Sequence, residues 1–186
     1  MLKEISIKTN EILNSKKIDY CIIGRIAVAC WGMPISTANM DIVLAIKENK
    51  INELLEEFIK ARFVFSKEKT YKKLSEGKPA KLWYEDEFSI DLRIVKFTID
   101  YEALKRAKAF KIWDKEWKIA PPEELIIYKL GRAKPKDWED IKAILKNKTL
   151  RLDWRRMEWL SKTLEEEFEP NFFKRFEKLK KLKFQS

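Results

Sequence analysis

Asn39 and Asp41 stand two apart in the β-branched run Asn39-Met40-Asp41-Ile42-Val43-Leu44-Ala45-Ile46, and Asp91 interrupts a later apolar run between Ile90 and Leu92. Alternate residues of a strand share a face, so Asn39 and Asp41 project together, and Asp91 points away from its apolar neighbours. Asp91 is thereby a third candidate position for a carboxylate. The chain contains no histidine, which excludes a Ser-His-Asp triad, a His-ligated zinc and an imidazole general base. Carboxylate, lysine, arginine and hydroxyl chemistry remains. Cys21 and Cys30 lie in apolar segments at a spacing that suits neither a Cys-x-x-Cys redox motif nor a zinc knuckle, and both are expected in the core.

The elements that must position these residues follow from periodicity. Residues 2 to 16 carry Leu2, Ile5, Ile12 and Leu13 in helical register, and Asp19 to Ile23 reads as a short buried strand ended by Gly24. Residues 26 to 32 form a short apolar helix closed by Gly32, Met33 and Pro34, so the unit is strand, glycine turn, helix. After the loop Ile35-Ser36-Thr37-Ala38 comes the strand 39 to 46, then an amphipathic helix over 50 to 61 and a strand start at Phe63-Val64-Phe65. Ser66 to Lys81 is polar and basic, broken by Gly77-Lys78-Pro79, and is expected as loop or hairpin, with a groove that could admit an acceptor. Lys81 to Tyr84 and Phe88 to Val95 read as paired strands about Glu85-Asp86-Glu87, and Phe110 to Trp113 with Trp117 to Ile119 as a further hairpin turning at Asp114-Lys115-Glu116. Pro121-Pro122-Glu123-Glu124 opens a helix running to about Arg132, with proline in the first turn and acids at the positive end of the dipole. Pro135 starts the next, to Lys146, and two amphipathic helices fill 152 to 168 and 171 to 183. The architecture is a mixed sheet followed by helices.

The 186 residues, 45% hydrophobic and 12% aromatic, suffice for one good core. The N-terminus lacks the apolar stretch of a signal peptide and no apolar run is long enough to span a bilayer, so the expected location is the cytoplasm and no membrane partner is expected. A charged fraction of 38% with a single glutamine, Gln185, resembles thermophile composition. The net charge of +10 favours an anionic partner. Much of the excess lies in residues 172 to 183, where six cations and one acid, Glu177, interleave with Phe172, Phe173, Phe176, Leu179 and Leu182. An amphipathic terminal helix with a solvated basic face accounts for this pattern, and an RNA-gripping helix is the sharper alternative. The seven tryptophans are expected as core or half-buried rim.

Taken in order, Gly24-Arg25, Asn39-Met40-Asp41 and Asp91 resemble the active-site signature of the nucleotidyltransferase fold of the DNA polymerase β type. Ala120 to Lys129 and Pro135-Lys136-Asp137-Trp138-Glu139-Asp140-Ile141 look like the Lys and Lys-Asp-x-x-Asp-Ile helices of AbiEii-like and related minimal nucleotidyltransferases. The resemblance spans about residues 18 to 146 and implies an α/β (α+β) class. Residues 1–146 would be a nucleotidyltransferase-like domain, and 147–186 a C-terminal helical extension packed on it.

The resemblance implies carboxylates that hold Mg²⁺, or Mn²⁺, against the phosphates of an NTP. It implies a glycine turn where backbone N–H groups approach phosphate, and Lys129 as a point cation for phosphate charge. Gly24, Arg25, Ser36, Thr37, Lys129 and Asp137 are thereby nucleotide-binding candidates, and Asp41, Asp91 and Asn39 are metal-binding and catalytic candidates. The chain departs from the pattern where the chemistry should be. Arg25 occupies the second glycine, Ile35 stands where relatives carry arginine, and Asn39 replaces the first carboxylate. A carboxamide oxygen can coordinate magnesium but brings no charge, so metal affinity should be weakened and turnover slowed about a thousandfold or more.

Two readings stay open. One is an enzyme transferring a nucleotide to RNA, tRNA or a protein hydroxyl, as a toxin with an antitoxin in the AbiEii manner. The other is a catalytically silent relative that binds nucleotide, RNA or protein. Arg25, a cation at a helix N-terminus, either binds phosphate or points to solvent. In a blander account Asp41 caps a strand end and Asp91 makes a surface ion pair.

Overall fold

The computed structural model describes residues 2–184 apart from Met33, Ile35 and Asp86, with the side chains of Leu2, Lys183 and Phe184 also outside the description. The expectations placed on Ile35 and on Asp86 within the Glu85–Glu87 turn therefore lie outside the described residues.

The sheet is built from two alternations. Strands β1 (Asp19–Ile23) and β2 (Asn39–Ala45) pair antiparallel, with Ile23 opposite Asp41. Between them the glycine turn leads directly into α2 (Gly24–Trp31), one residue after β1 ends. Strand β4 (Phe88–Ile94) lies parallel to β2, and β3 (Ala80–Tyr84) pairs antiparallel with β4 at the edge. Strands β5 (Lys108–Ile112) and β6 (Lys115–Ile119) form a hairpin attached through a parallel contact of β6 with β1. The result is one six-stranded mixed sheet in the order β3-β4-β2-β1-β6-β5.

Neighbouring Val43 and Leu44 are both fully buried, so both faces of the central strand are covered. One group of helices comprises α1 (Leu2–Ser15), α3 (Ile51–Lys60) and α4 (Lys67–Ser75). The other comprises α2, α5 (Thr98–Arg106), α6 (Pro122–Arg132), α7 (Pro135–Leu145), α8 (Trp154–Glu167) and α9 (Phe172–Phe184). Cys21 is buried and Cys30 half-buried, both as free thiols, and burial pushes the Cys30 thiol up to about 11. The amphipathic pattern of α9 buries Phe172, Phe176 and Leu179.

Helix α4 corrects the loop expected over 66 to 81. It buries only Thr70 and Leu74, too few apolar positions for a periodic signal, and its sequence-level mark is Ser66, whose side chain accepts from the Lys69 amide. Helix α5 has no counterpart in the expected elements. Phe63–Phe65 contributes a single bridge, Val64 to Trp83, in place of a strand. The β5–β6 turn is tighter than expected, at Trp113 and Asp114, both with positive φ.

Candidate active site

The register of β2 and β4 sets Asp41 directly opposite Asp91, and Asn39 opposite Ser89. On antiparallel β3, Lys81 is opposite Asp91. These strands produce a closed polar ring. Lys81 Nζ lies 3.4 Å from Asp91 Oδ2 and donates to Ser89 Oγ at 3.3 Å. Ser89 Oγ donates to Asn39 Oδ1 at 3.1 Å, and Asn39 Nδ2 donates to Asp91 Oδ2 at 2.8 Å and to Asp41 Oδ1 at 3.4 Å. Because lysine can only donate, the Ser89 hydrogen is turned toward Asn39, which aims the NH₂ of the amide at both carboxylates. The amide thus supplies partial positive charge between two acids.

Gly24 approaches the same group from the other side. Its φ of +69° suits glycine, and a Cβ there would overlap Asp41 Oδ2 and lie 2.7 Å from Cγ. No other residue fits without displacing the carboxylate. Burial and the charge of Asp91 push the Asp41 carboxyl above its ordinary value, against the opposing effects of Lys129, Arg132 and Lys81.

Asp41 and Asp91 open into a cavity of about 400 Å³, within the range of small-molecule sites. Arg93, Tyr128, Lys129 and Arg132 line it beside the acids, and Phe97, Ile99, Leu164, Phe168 and Phe172 form an apolar wall supplied by α5, α8, α9 and their connections. Asp100, at the start of α5, organises the polar wall. Its Oδ1 accepts from Arg93 and from the Tyr128 hydroxyl at 2.7 Å, and its Oδ2 from the amides of Lys96 and Phe97. Burial raises the Tyr128 phenol well above its ordinary value, so it stays protonated and donating. Two carboxylates in register can hold one divalent cation together with phosphate oxygens. Among the described residues, no group of three or more Asp, Glu, Cys or His is placed to hold a metal ion.

With this geometry in view, residues 3–178 match the model of a family described as "Nucleotidyl transferase of unknown function (DUF2204)". The chain belongs to this nucleotidyl transferase family. No curated protein matches its sequence. Among solved structures, the chain is similar to the lincosamide antibiotic adenylyltransferase LnuA in its lincomycin-bound form (TM-score 0.56, 12% identity, covering 77% of this chain and 96% of that one). It is also similar to an antigenic nucleotidyltransferase-like protein from Paracoccidioides brasiliensis (0.54, 18%, 95% and 92%) and to the antibiotic-resistance factor ANT(2'')-Ia (0.55, 11%, 90% and 92%). At these identities the likeness is one of fold.

The transferase fold brings Gly24, Asn39, Asp41 and Asp91 together, with Lys129 on the cavity wall. Lys129 is not a solvated helix residue: it is buried, its Nζ 2.6 Å from Asp140 and 3.5 Å from Asp137. Asp137 also accepts from Arg132 at 2.7 Å and from the Lys134 amide. Burial pushes the Asp137 carboxyl up, but Arg132 and Lys129 hold it below its ordinary value. Arg25 Nη1 donates to the Ser36 carbonyl at 3.2 Å, and its Nε lies 3.5 Å from Asp140. The Thr37 hydroxyl is committed to the backbone of Asn39 at the entry to β2. Ser36 and Thr37 do not line the cavity, and of residues 66 to 81 Pro79 alone does. Sequence reasoning missed Lys81, Ser89, Arg93 and the α8–α9 wall. Arg93, two residues past Asp91 on the same strand face, was the one with a readable signal.

Proposed function

We propose that this chain is a nucleotidyl transferase acting on an NTP at Asp41 and Asp91, with a small hydroxyl-bearing molecule as acceptor. The observation that carries this reading is the carboxylate pair, in register on β2 and β4 against the Gly24 turn, opening into a cavity lined by three cations and by apolar side chains. A cavity of about 400 Å³ suits a compact ligand. The structural neighbours, two of which are named for antibiotics, support a small acceptor over a polymer.

The donor set fits one divalent cation. Asp41 and Asp91 would hold it, the bare backbone of Gly24 gives the Asp41 carboxylate the space a Cβ would take, and Asn39 can turn its Oδ1 inward only by giving up its bonds to both acids. When bound, the ion supplies neutralisation of triphosphate charge in the transition state. A carboxylate oxygen of Asp41 left free by the ion would take the acceptor's hydroxyl proton as the acceptor oxygen attacks the α-phosphorus and pyrophosphate leaves. The apolar wall excludes water from the attack.

A second reading has its own observation. The Asn39 amide already bridges the two acids, which supports binding of nucleotide without turnover.

We further assign residues 1–146 as the transferase domain and 147–186 as an extension packed on it, because Leu164, Phe168 and Phe172 wall the same cavity as Asp41. Removal of 147–186 should abolish cooperative melting; a truncated chain that still melts cooperatively would show the extension to be dispensable.

The deciding experiment incubates the protein with each α-labelled NTP, Mg²⁺ or Mn²⁺, and separate pools of small metabolites, RNA and protein. Label in the small-molecule pool, lost in Asp91→Asn, is expected. Label in RNA or protein would instead establish the AbiEii-like, toxin-type acceptor and invite a search for an antitoxin. NTP binding without transfer would establish the silent reading, and neither binding nor transfer would overturn both.

A further inference from the structure

We infer that Arg93 is the phosphate-binding residue of the cavity, receiving the oxygens of the nucleotide's phosphate chain. This rests on the reading that an NTP enters beside Asp41 and Asp91.

Arg93 and Asp91 project from the same face of β4 and line the same cavity. Positions i and i+2 of a strand stand about 7 Å apart along its axis, a separation that a phosphate group can bridge. The guanidinium is held in place before any ligand arrives. Asp100 binds it through Oδ1, and its carbon lies 4.7 Å from the centroid of the Tyr128 ring. Asp100 is itself fixed by the Tyr128 hydroxyl and two backbone amides, so the arginine cannot swing away without dismantling the entry to α5.

The fork is nevertheless mostly uncommitted. A guanidinium carries five N–H donors; this one engages Asp100 and the Tyr128 oxygen, and its Nε is buried and, among the described residues, without a partner. Of the other two cations on the wall, Lys129 is held between Asp140 and Asp137, while Arg132 bonds Asp137 alone and, being largely exposed, is not held in one orientation as Arg93 is. A planar, preoriented fork with free donors matches phosphate oxygens in pairs, where a lysine offers only a point charge.

Titration calorimetry on the full chain tests this with ATP, inorganic pyrophosphate and adenosine, in EDTA and again in Mg²⁺. Wild type should bind ATP and pyrophosphate. Arg93→Met should weaken both tenfold or more and leave adenosine unchanged. Because Arg93→Met strands the buried Asp100 and can fail to fold, Arg93→Lys is the second variant. It keeps a cation beside Asp100 but loses the fork, and should show most of the same loss with a wild-type-like melting curve. Unchanged pyrophosphate affinity in folded Arg93→Lys overturns the inference while the nucleotide reading stands, and so does an equal loss for adenosine, which marks a structural role. A wild-type chain that binds neither ATP nor pyrophosphate overturns the nucleotide reading and this inference with it.

Discussion

Replacing Asn39 by aspartate converts a donor between two acids into a third acid. Asn39 Nδ2 lies 2.8 Å from Asp91 Oδ2, so Asn39→Asp sets two carboxylate oxygens where a hydrogen bond stood. Unit charges about 3 Å apart repel by roughly 5 kcal/mol at an effective dielectric of about 20. The cluster can escape by taking up a proton, which at pH 7 costs about 4 kcal/mol for a carboxyl whose ordinary value is near 4. Partial rotation relieves some of the rest, so a destabilisation of about 3 kcal/mol is expected, equivalent to roughly 6–12 °C in melting temperature for a chain of this size. The folded-state value of such a carboxyl lies above its unfolded value. The penalty is therefore present at neutral pH and shrinks as the pH falls toward the unfolded value. Melting curves of wild type and Asn39→Asp in EDTA at pH 7, in EDTA at pH 5, and with millimolar Mg²⁺ or Mn²⁺ read this directly. The variant should melt well below wild type in the first condition and regain most of the difference in the other two. A variant that melts with wild type in EDTA and ignores the cations would refute the claim that Asn39 stands in for positive charge between Asp41 and Asp91.

Three further outcomes follow from the same geometry. Asp41→Asn should raise the melting temperature at neutral pH, because burial and Asp91 hold the Asp41 carboxyl above its ordinary value and its ionisation opposes folding there. The gain should vanish in melts taken below the ordinary aspartate range, while NTP binding falls throughout. Gly24→Ala must adopt a positive φ and displace the Asp41 carboxylate; about 1–2 kcal/mol for the left-handed backbone plus the displacement should give a loss of roughly 2–4 kcal/mol in denaturant unfolding, together with lost NTP binding. Phe172→Ala, at a position 2% exposed, should cost about 3–5 kcal/mol, whereas Phe168→Ala, at 55% exposure on the same wall, should leave stability within about 1 kcal/mol and raise the KM for acceptor without changing that for NTP.

Much of the fold was legible because local physics governs it. The run Asn39 to Ala45 and the pair Lys81–Tyr84 and Phe88–Ile94 carry strand alternation that tertiary packing had no reason to override. The prolines at 122 and 135 mark helix starts by covalent geometry. Helix α4 escaped notice because two buried side chains leave almost no period to read. Helix α5 escaped because it buries only Ile99, Ala103 and Leu104 among apolar residues and its one start signal is a single acid, Asp100, bonded to the amides of Lys96 and Phe97.

The sequence by itself determined which residue types were available: two acids and an amide at alternate strand positions, a glycine where β1 turns, and no imidazole anywhere. It determined that Asn39 and Asp41 share a face, since alternation is a property of the strand alone. Only the tertiary structure decided that Asp91 sits opposite Asp41, because register between strands distant in the chain depends on what each face buries. It alone turned the Asn39 amide toward the acids through Ser89 and Lys81, and it alone engaged Lys129 and Arg25 with Asp140. It also placed the side chains of α8 and α9 on the wall of the site. A side chain's spacing along the chain specifies where it points, but its charge partners come from elements folded against it, and they set what it can bind.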